Sequence, residues 1–227
     1  TIHWSAQFPR LKPSDFRVNT LDGVADDWPF SYQQLEHYFD LNDKIMGIAG
    51  ITGDPMYPRK SPRQTGPLSL GKAGNVIVKG LDKLGWHWWP SDAAILTDNY
   101  DGRRPCNNCG PCELGCTRQS KASTDITYWP KAIQLGVTLK THARVSEITL
   151  SSHGLADGVI YFDSEGIMHK QRARIVVLAC NGIGTPRLLL NSVSHQFPGG
   201  LANNSGLVGR NLMFHPYAMV MGIFSLL

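Results

Sequence analysis

In the first hundred residues, apolar positions recur at helical spacing in two places. Tyr32, Leu35, Tyr38, Phe39 and Leu41 follow a helical spacing, and Ser31 followed by Gln34 three positions on is a capping-box pair that predicts the helix start. A second helix is predicted over Ala73 to Leu84, with Gly85 as its terminal glycine. Elsewhere Pro29, Pro55, Pro58, Pro62, Pro67 and Pro90 interrupt any regular pattern, so the region should be rich in loops. A third helix is expected from Thr124 to Leu135, stopping at Gly136.

Beyond that glycine the pattern changes to short strand-like runs: Thr138 to Ala143, Val145 to Leu150, Gly158 to Phe162, Ile167 to Gln171 and Arg174 to Ala179. The run Ile175-Val176-Val177-Leu178-Ala179 has no polar alternation, as expected for a strand buried on both faces of a parallel sheet. Asn181-Gly182 follows as a turn, and then a helix over Thr185 to Asn191 with Pro186 in its first turn. Strand, small-residue turn and helix in that order make the unit at which open α/β sheets bind ligands. The fold class expected is α/β in the mixed α+β sense.

Composition narrows the function classes without choosing one. A hydrophobic share of 42% with 18% charged residues is ordinary for a globular chain. The net charge of +4 is spread along the sequence, so there is no basic patch and nucleic acid is not an expected partner. No apolar stretch reaches the roughly 20 residues of a transmembrane helix. The chain opens on Thr1 rather than Met and closes in the apolar run 223–227, so it is expected to continue at both ends. Cytoplasmic and bacterial periplasmic locations both stay open.

Four of the five cysteines fall in Cys106-Asn-Asn-Cys109-Gly-Pro-Cys112-Glu-Leu-Gly-Cys116. Short gaps and glycines of this kind let several thiolates converge on one iron–sulfur cluster. Four thiolates also suffice for tetrahedral zinc, and free thiols or disulfides holding a tight loop are the third reading. Thr117 stands where cluster-binding ferredoxins have proline. Cys180, beside the apolar run, reads as a small buried residue.

Three separated segments together resemble the glucose-methanol-choline (GMC) family of flavin-dependent oxidoreductases. Thr1-Ile2-His3-Trp4 resembles the tail of the family's first signature, and the stretch from Ala179 to Ser192 resembles its second, departing at Asn181 and at Val193. Cys112 to Val145 resembles the segment between them, with a Gly-Cys pair, Lys121-Ala-Ser123 and a helix that ends before a strand. Trp28-Pro29-Phe30-Ser31-Tyr32 and Val208-Gly209-Arg210-Asn211 to His215-Pro216 are further matches.

The resemblance implies part of an FAD-binding Rossmann-like domain joined to part of a substrate domain: 1–135 a loop-rich helical segment with the cysteine loop, 136–200 the strands and strand–turn–helix of the FAD domain, and 201–227 the start of the substrate domain. It implies FAD as cofactor, an alcohol or sugar as substrate, and an electron-acceptor protein as a candidate partner. His3 would lie against the flavin, the backbone of Val145 against adenine, and Ala179 and Asn181 on the turn that approaches the cofactor. Some bacterial sugar dehydrogenases of the family carry an iron–sulfur cluster on cysteines spaced like Cys106, Cys112 and Cys116, with Cys109 an added ligand or a bystander. The family's catalytic His lies beyond the C-terminus of this chain, so no catalytic residue is assigned within it, and little or no turnover is expected from the chain alone. His215-Pro216 then reads as a turn. The patch Trp86-His87-Trp88-Trp89 reads either as a packed aromatic cluster or as the border of a substrate cleft. Two other readings are an iron–sulfur electron-transfer module and an inactive binding or structural fragment.

Overall fold

The structure, a computed structural model, describes residues 4–214 and 219–223. His3 and the His215-Pro216 turn lie outside the described residues. The chain divides into two compact units, Thr1–Thr138 and Leu139–Leu227.

In the first unit a 3-10 turn, Pro13–Phe16, leads into the short helix α1, Val18–Asp22. Helix α2, Tyr32–Met46, begins where the capping box places it, the Ser31 backbone N–H donating to Gln34 Oε1 at 2.8 Å. It ends at Gly47, whose φ of 74° is left-handed. A Cβ there would lie 2.4 Å from Arg103 Nη2, so the position needs glycine twice over. Arg103 itself is buried and donates from Nη2 to the Met46 carbonyl at 2.7 Å, setting its charge at the negative end of α2. Helix α3, Gly71–Leu84, stops at left-handed Gly85.

The helix expected over Thr124 to Leu135 is two helices: α4, Thr124–Thr127, and α5, Trp129–Gln134, meeting at Tyr128. Pro130 is the cause, because it brings no backbone N–H and its ring crowds the carbonyl four residues back.

The centre of this unit is a segment that carries no periodicity in the sequence, Ala93-Ala94-Ile95-Leu96. Its backbone exchanges hydrogen bonds with Ala49 on one side (2.8 and 3.0 Å), donates to the Ala6 carbonyl at 2.8 Å, and meets Ser120 and Ala122 on another strand-like segment. Alanines at 6, 49, 93, 94 and 122 let these backbones approach closely while Met46, Ile48 and Ile95 fill the space between them.

Beneath it lies a charge network. Arg10 donates to Asp43 Oδ2 from Nε (3.1 Å) and Nη2 (2.5 Å) and pairs with Asp40. Arg63 pairs with both Asp43 and Asp92, and Lys60 reaches Asp92 at 2.8 Å. Three cations balance three carboxylates. Burial would raise the Asp40 pKa, yet the hydrogen bonds from Arg10 and Ser61 hold it below its ordinary value. A carboxyl depressed on folding adds stability above the unfolded carboxylate range, about pH 4, and that stability is lost as pH falls through the folded value. The melting temperature should therefore fall below about pH 4, and Asp40→Asn should flatten that dependence. An unchanged acid limb in Asp40→Asn would show that the pair does not contribute.

The second unit is a three-stranded antiparallel sheet, β1 (Arg144–Leu150), β2 (Ala156–Phe162) and β3 (Met168–Arg172), in the order β1-β2-β3. Helix α6, Asn181–Asn191, packs on β1 through Leu188 and Ser192. The buried Ser192 hydroxyl donates to the Leu188 carbonyl at 2.7 Å and accepts the Ile148 N–H at 2.9 Å. Ser192→Ala leaves that strand N–H without its partner and should lower the stability of this unit by about 1–3 kcal/mol, read from chemical denaturation.

Two expected strands are absent. His142 takes a left-handed φ of 51°, which breaks the pleat within 138–143. The run 174–179 is not a strand either: Ile175 and Val177 are each 80% exposed. A strand exists by its ladder, and among the described residues nothing pairs with this segment. The helix that follows starts at Asn181, four residues earlier than expected, which leaves Pro186 inside it.

Candidate functional site

The site residues named from the sequence fall into two groups, one in each unit. In the second unit Val145 lies on β1 opposite Tyr161, at the point where the register with β2 slips before Glu147. The strand bulges there and turns its backbone. Ala179 and Asn181 are exposed on the turn into α6, and Asn181 takes a left-handed φ of 66°. Asparagine is among the few residues that accept that conformation readily, which accounts for its place where the family signature has Gly or Ser. The Gly182 N–H is bound by the Asn181 side chain, and a Cβ on Gly182 would meet nothing within 4 Å. The turn is open and built of small residues ahead of a helix N-terminus, a form that suits close approach of a phosphate-bearing cofactor. Ser192 fixes α6 to β1, so the turn and the Val145 strand are held by one element.

In the first unit the cysteine loop runs along the core. Cys106 and Cys112 are half-buried and pack against the cluster of Ala6, Met46, Ile48 and Ala94, while Cys109 is exposed. All five cysteines are free. Burial and the neighbouring thiols of Cys106, Cys109 and Cys116 push the Cys112 thiol up. Cys116 moves the other way: burial opposes it, but backbone N–H groups of Lys121, Ser120, Arg118 and Gln119 hold it below its ordinary range. The donor chemistry suits a soft metal centre. The geometry does not, because among the described residues no three Cys, His, Asp or Glu side chains converge on one point.

The sequence reading passed over Lys121. It is 2% exposed, and its ammonium donates to the Cys112 carbonyl (2.5 Å) and the Trp4 carbonyl (2.9 Å) while lying 5.9 Å from the Trp4 ring centre. A single buried cation thus ties the cysteine loop to the residue that follows His3. The Trp4 indole N–H is buried there without a partner among the described residues. The only signal in the sequence is the Lys121-Ala122-Ser123 tripeptide, which gives no hint of burial.

The sequence model of the GMC oxidoreductase family matches residues 24–217. The chain belongs to that family. Among characterised GMC relatives, the 2-methyl-1,2-propanediol dehydrogenase of Mycolicibacterium austroafricanum is 46% identical over 219 residues, which are 95% of this chain and 40% of that protein. The fructose dehydrogenase large subunit of Gluconobacter japonicus is 33% identical over 223 residues, again 95% of this chain and 40% of the relative. The 6'''-hydroxyparomomycin C oxidase of Streptomyces lividus is 30% identical over 220 residues, 93% and 40%. The chain therefore spans about 40% of the length of these GMC relatives. No helix among the described residues is long and apolar enough to cross a membrane.

Proposed function

We propose that this chain forms part of an FAD-dependent oxidoreductase that oxidises an alcohol or sugar hydroxyl. The observation that carries this is the 46% identity to a diol dehydrogenase across nearly the whole chain, within a family match over 24–217. FAD, when bound, supplies the hydride acceptor. The residues of this chain have holding roles. The turn of Ala179 and Asn181 would approach the cofactor closely, the Val145 backbone would meet its adenine, and His3 its flavin. Residues 1–135 would carry parts of both the FAD and the substrate domain, 136–200 would belong to a Rossmann-type FAD domain, and 201–227 would begin the substrate domain. No residue of this chain is assigned to proton transfer.

Small aliphatic diols and ketohexoses are the first substrates to test, given what the relatives act on by name. Equilibrium dialysis of FAD against the chain checks the holding role: binding is expected, and Ala179→Leu, which adds bulk at the turn, should weaken it about tenfold or more. Binding indifferent to that substitution would remove the turn from the site.

For the cysteine loop we propose Cys106, Cys109, Cys112 and Cys116 as the thiols that would bind an iron–sulfur cluster once the loop rearranges to bring their sulfurs together, since they do not converge as folded here, with no step of the reaction routed through it. Iron and acid-labile sulfide after anaerobic purification, lost in Cys112→Ser, would support that reading. A metal-free protein would return the four cysteines to a loop-shaping role.

A further inference from the structure

The aromatic patch of the first unit borders a cleft that the flavin reading does not use. Its volume is about 400 Å³, within the range of about 300–1,000 Å³ typical of small-molecule sites. One wall is the Trp89 indole, whose Nε1–H donates to the Ile51 carbonyl at 3.0 Å and whose ring stacks on His87 at 21°. Ile51 and Pro90 extend this apolar wall. Tyr57 forms another, with Lys60 Nζ 4.3 Å and Lys12 Nζ 5.2 Å from its ring centre.

The polar groups of the lining decide what could bind. Both carboxylates are already engaged: Asp54 with His87 at 2.9 Å, and Asp92 with Lys60 and Arg63. The Lys60 charge is used in the same way. Two groups have no hydrogen bond or ion pair among the described residues, the Arg59 guanidinium and the Tyr57 hydroxyl. Burial and nearby carboxylates raise the Tyr57 pKa above its ordinary value, so the hydroxyl keeps its proton and can donate. The charged donor left open in the lining is the Arg59 guanidinium, and a carboxylate answers both a guanidinium and a phenol.

We propose that this cleft is a binding site for a small organic carboxylate with a flat apolar body, the carboxylate taken by Arg59 and Tyr57 and the body lying along Trp89, Ile51 and Pro90. The site stands apart from the cofactor reading and can hold or fail independently of it.

Benzoate is the probe, titrated calorimetrically into the 227-residue chain, with benzyl alcohol as a ligand of the same body and no charge. Saturable benzoate binding is expected, with benzyl alcohol weaker by about tenfold or more and Arg59→Gln weakening benzoate by about tenfold. Arg59 is exposed, so its replacement should leave the fold intact, which circular dichroism verifies. Tyr57→Phe should give a smaller loss in the same direction. Absence of saturable binding at millimolar benzoate overturns the proposal, as does equal binding of benzyl alcohol or full affinity in Arg59→Gln.

Discussion

Replacing Asp43 with alanine should cost this protein about 3–5 kcal/mol and lower the melting temperature of the first unit by roughly 10 °C or more. Asp43 is 4% exposed and is shared by two guanidinium groups that are themselves 2% and 3% exposed. Among the described residues its removal leaves Arg10 hydrogen-bonded to Asp40 and the Tyr32 hydroxyl, the latter at 3.4 Å, and leaves Arg63 paired with Asp92. Arg10 cannot lose its proton to escape, because the hydrogen bonds it makes raise its pKa against the opposing effect of burial. The network changes from three charges against three to three cations against two carboxylates, at a place that water reaches poorly. Asp43→Asn keeps the shape and one acceptor, so it should fall between wild type and alanine. The measurement is thermal and urea unfolding of the three proteins, and a loss below about 1 kcal/mol for Asp43→Ala, the scale of a solvent-exposed pair, would sink the argument.

None of that network is legible in the sequence, because Arg10, Asp43, Arg63 and Asp92 lie up to 82 residues apart and each looks like an ordinary surface charge. The start of α2 and the stop of α3 were legible, because both are local chemistry: a capping pair at Ser31 and Gln34, and Gly85 as a left-handed cap. The 93–96 segment was not, since Ala-Ala-Ile-Leu gains its meaning from the alanines at 6, 49 and 122 that it meets. The two misread strands show the same division. Hydrophobicity says that 174–179 seeks burial, but only a partner strand can make it part of a sheet.

The candidate site divides along similar lines. Ala179 and Asn181 could be named from the order of apolar run, small-residue turn and helix, together with the family signature, and the left-handed backbone at Asn181 gives that position a physical reason. The cysteine spacing is also plain in the sequence, whereas the relative placement of the four sulfurs depends on a fold that spacing does not encode. What the sequence could not show is how the loop is held. Lys121 is 9 residues from Cys112 but 117 from Trp4, and only the folded chain brings its ammonium to both carbonyls.

Lys121→Met should therefore separate two functions of that side chain. Methionine keeps the unbranched apolar stem, so packing beside Trp4 is largely preserved and the loss falls on the charge and its hydrogen bonds. Two partly buried carbonyls lose a charged donor, and the expected cost is about 1–3 kcal/mol. The more diagnostic effect is local: freed from Lys121, the Cys112 segment should open, and alkylation of Cys112 by iodoacetamide, followed by mass spectrometry, should quicken about tenfold or more, as a local opening equilibrium shifted by more than about 1.4 kcal/mol requires. Cys180, in the other unit and already exposed, should react at its original rate and serves as the internal reference. Lys121→Arg keeps the charge and can donate to both carbonyls, so it should restore most of the protection. A uniform rise at every cysteine would mean that Lys121→Met had merely loosened the whole protein. Unchanged Cys112 reactivity would mean that the cysteine loop is held by its own turns and its packing on the core, and that Lys121 serves the Trp4 segment alone.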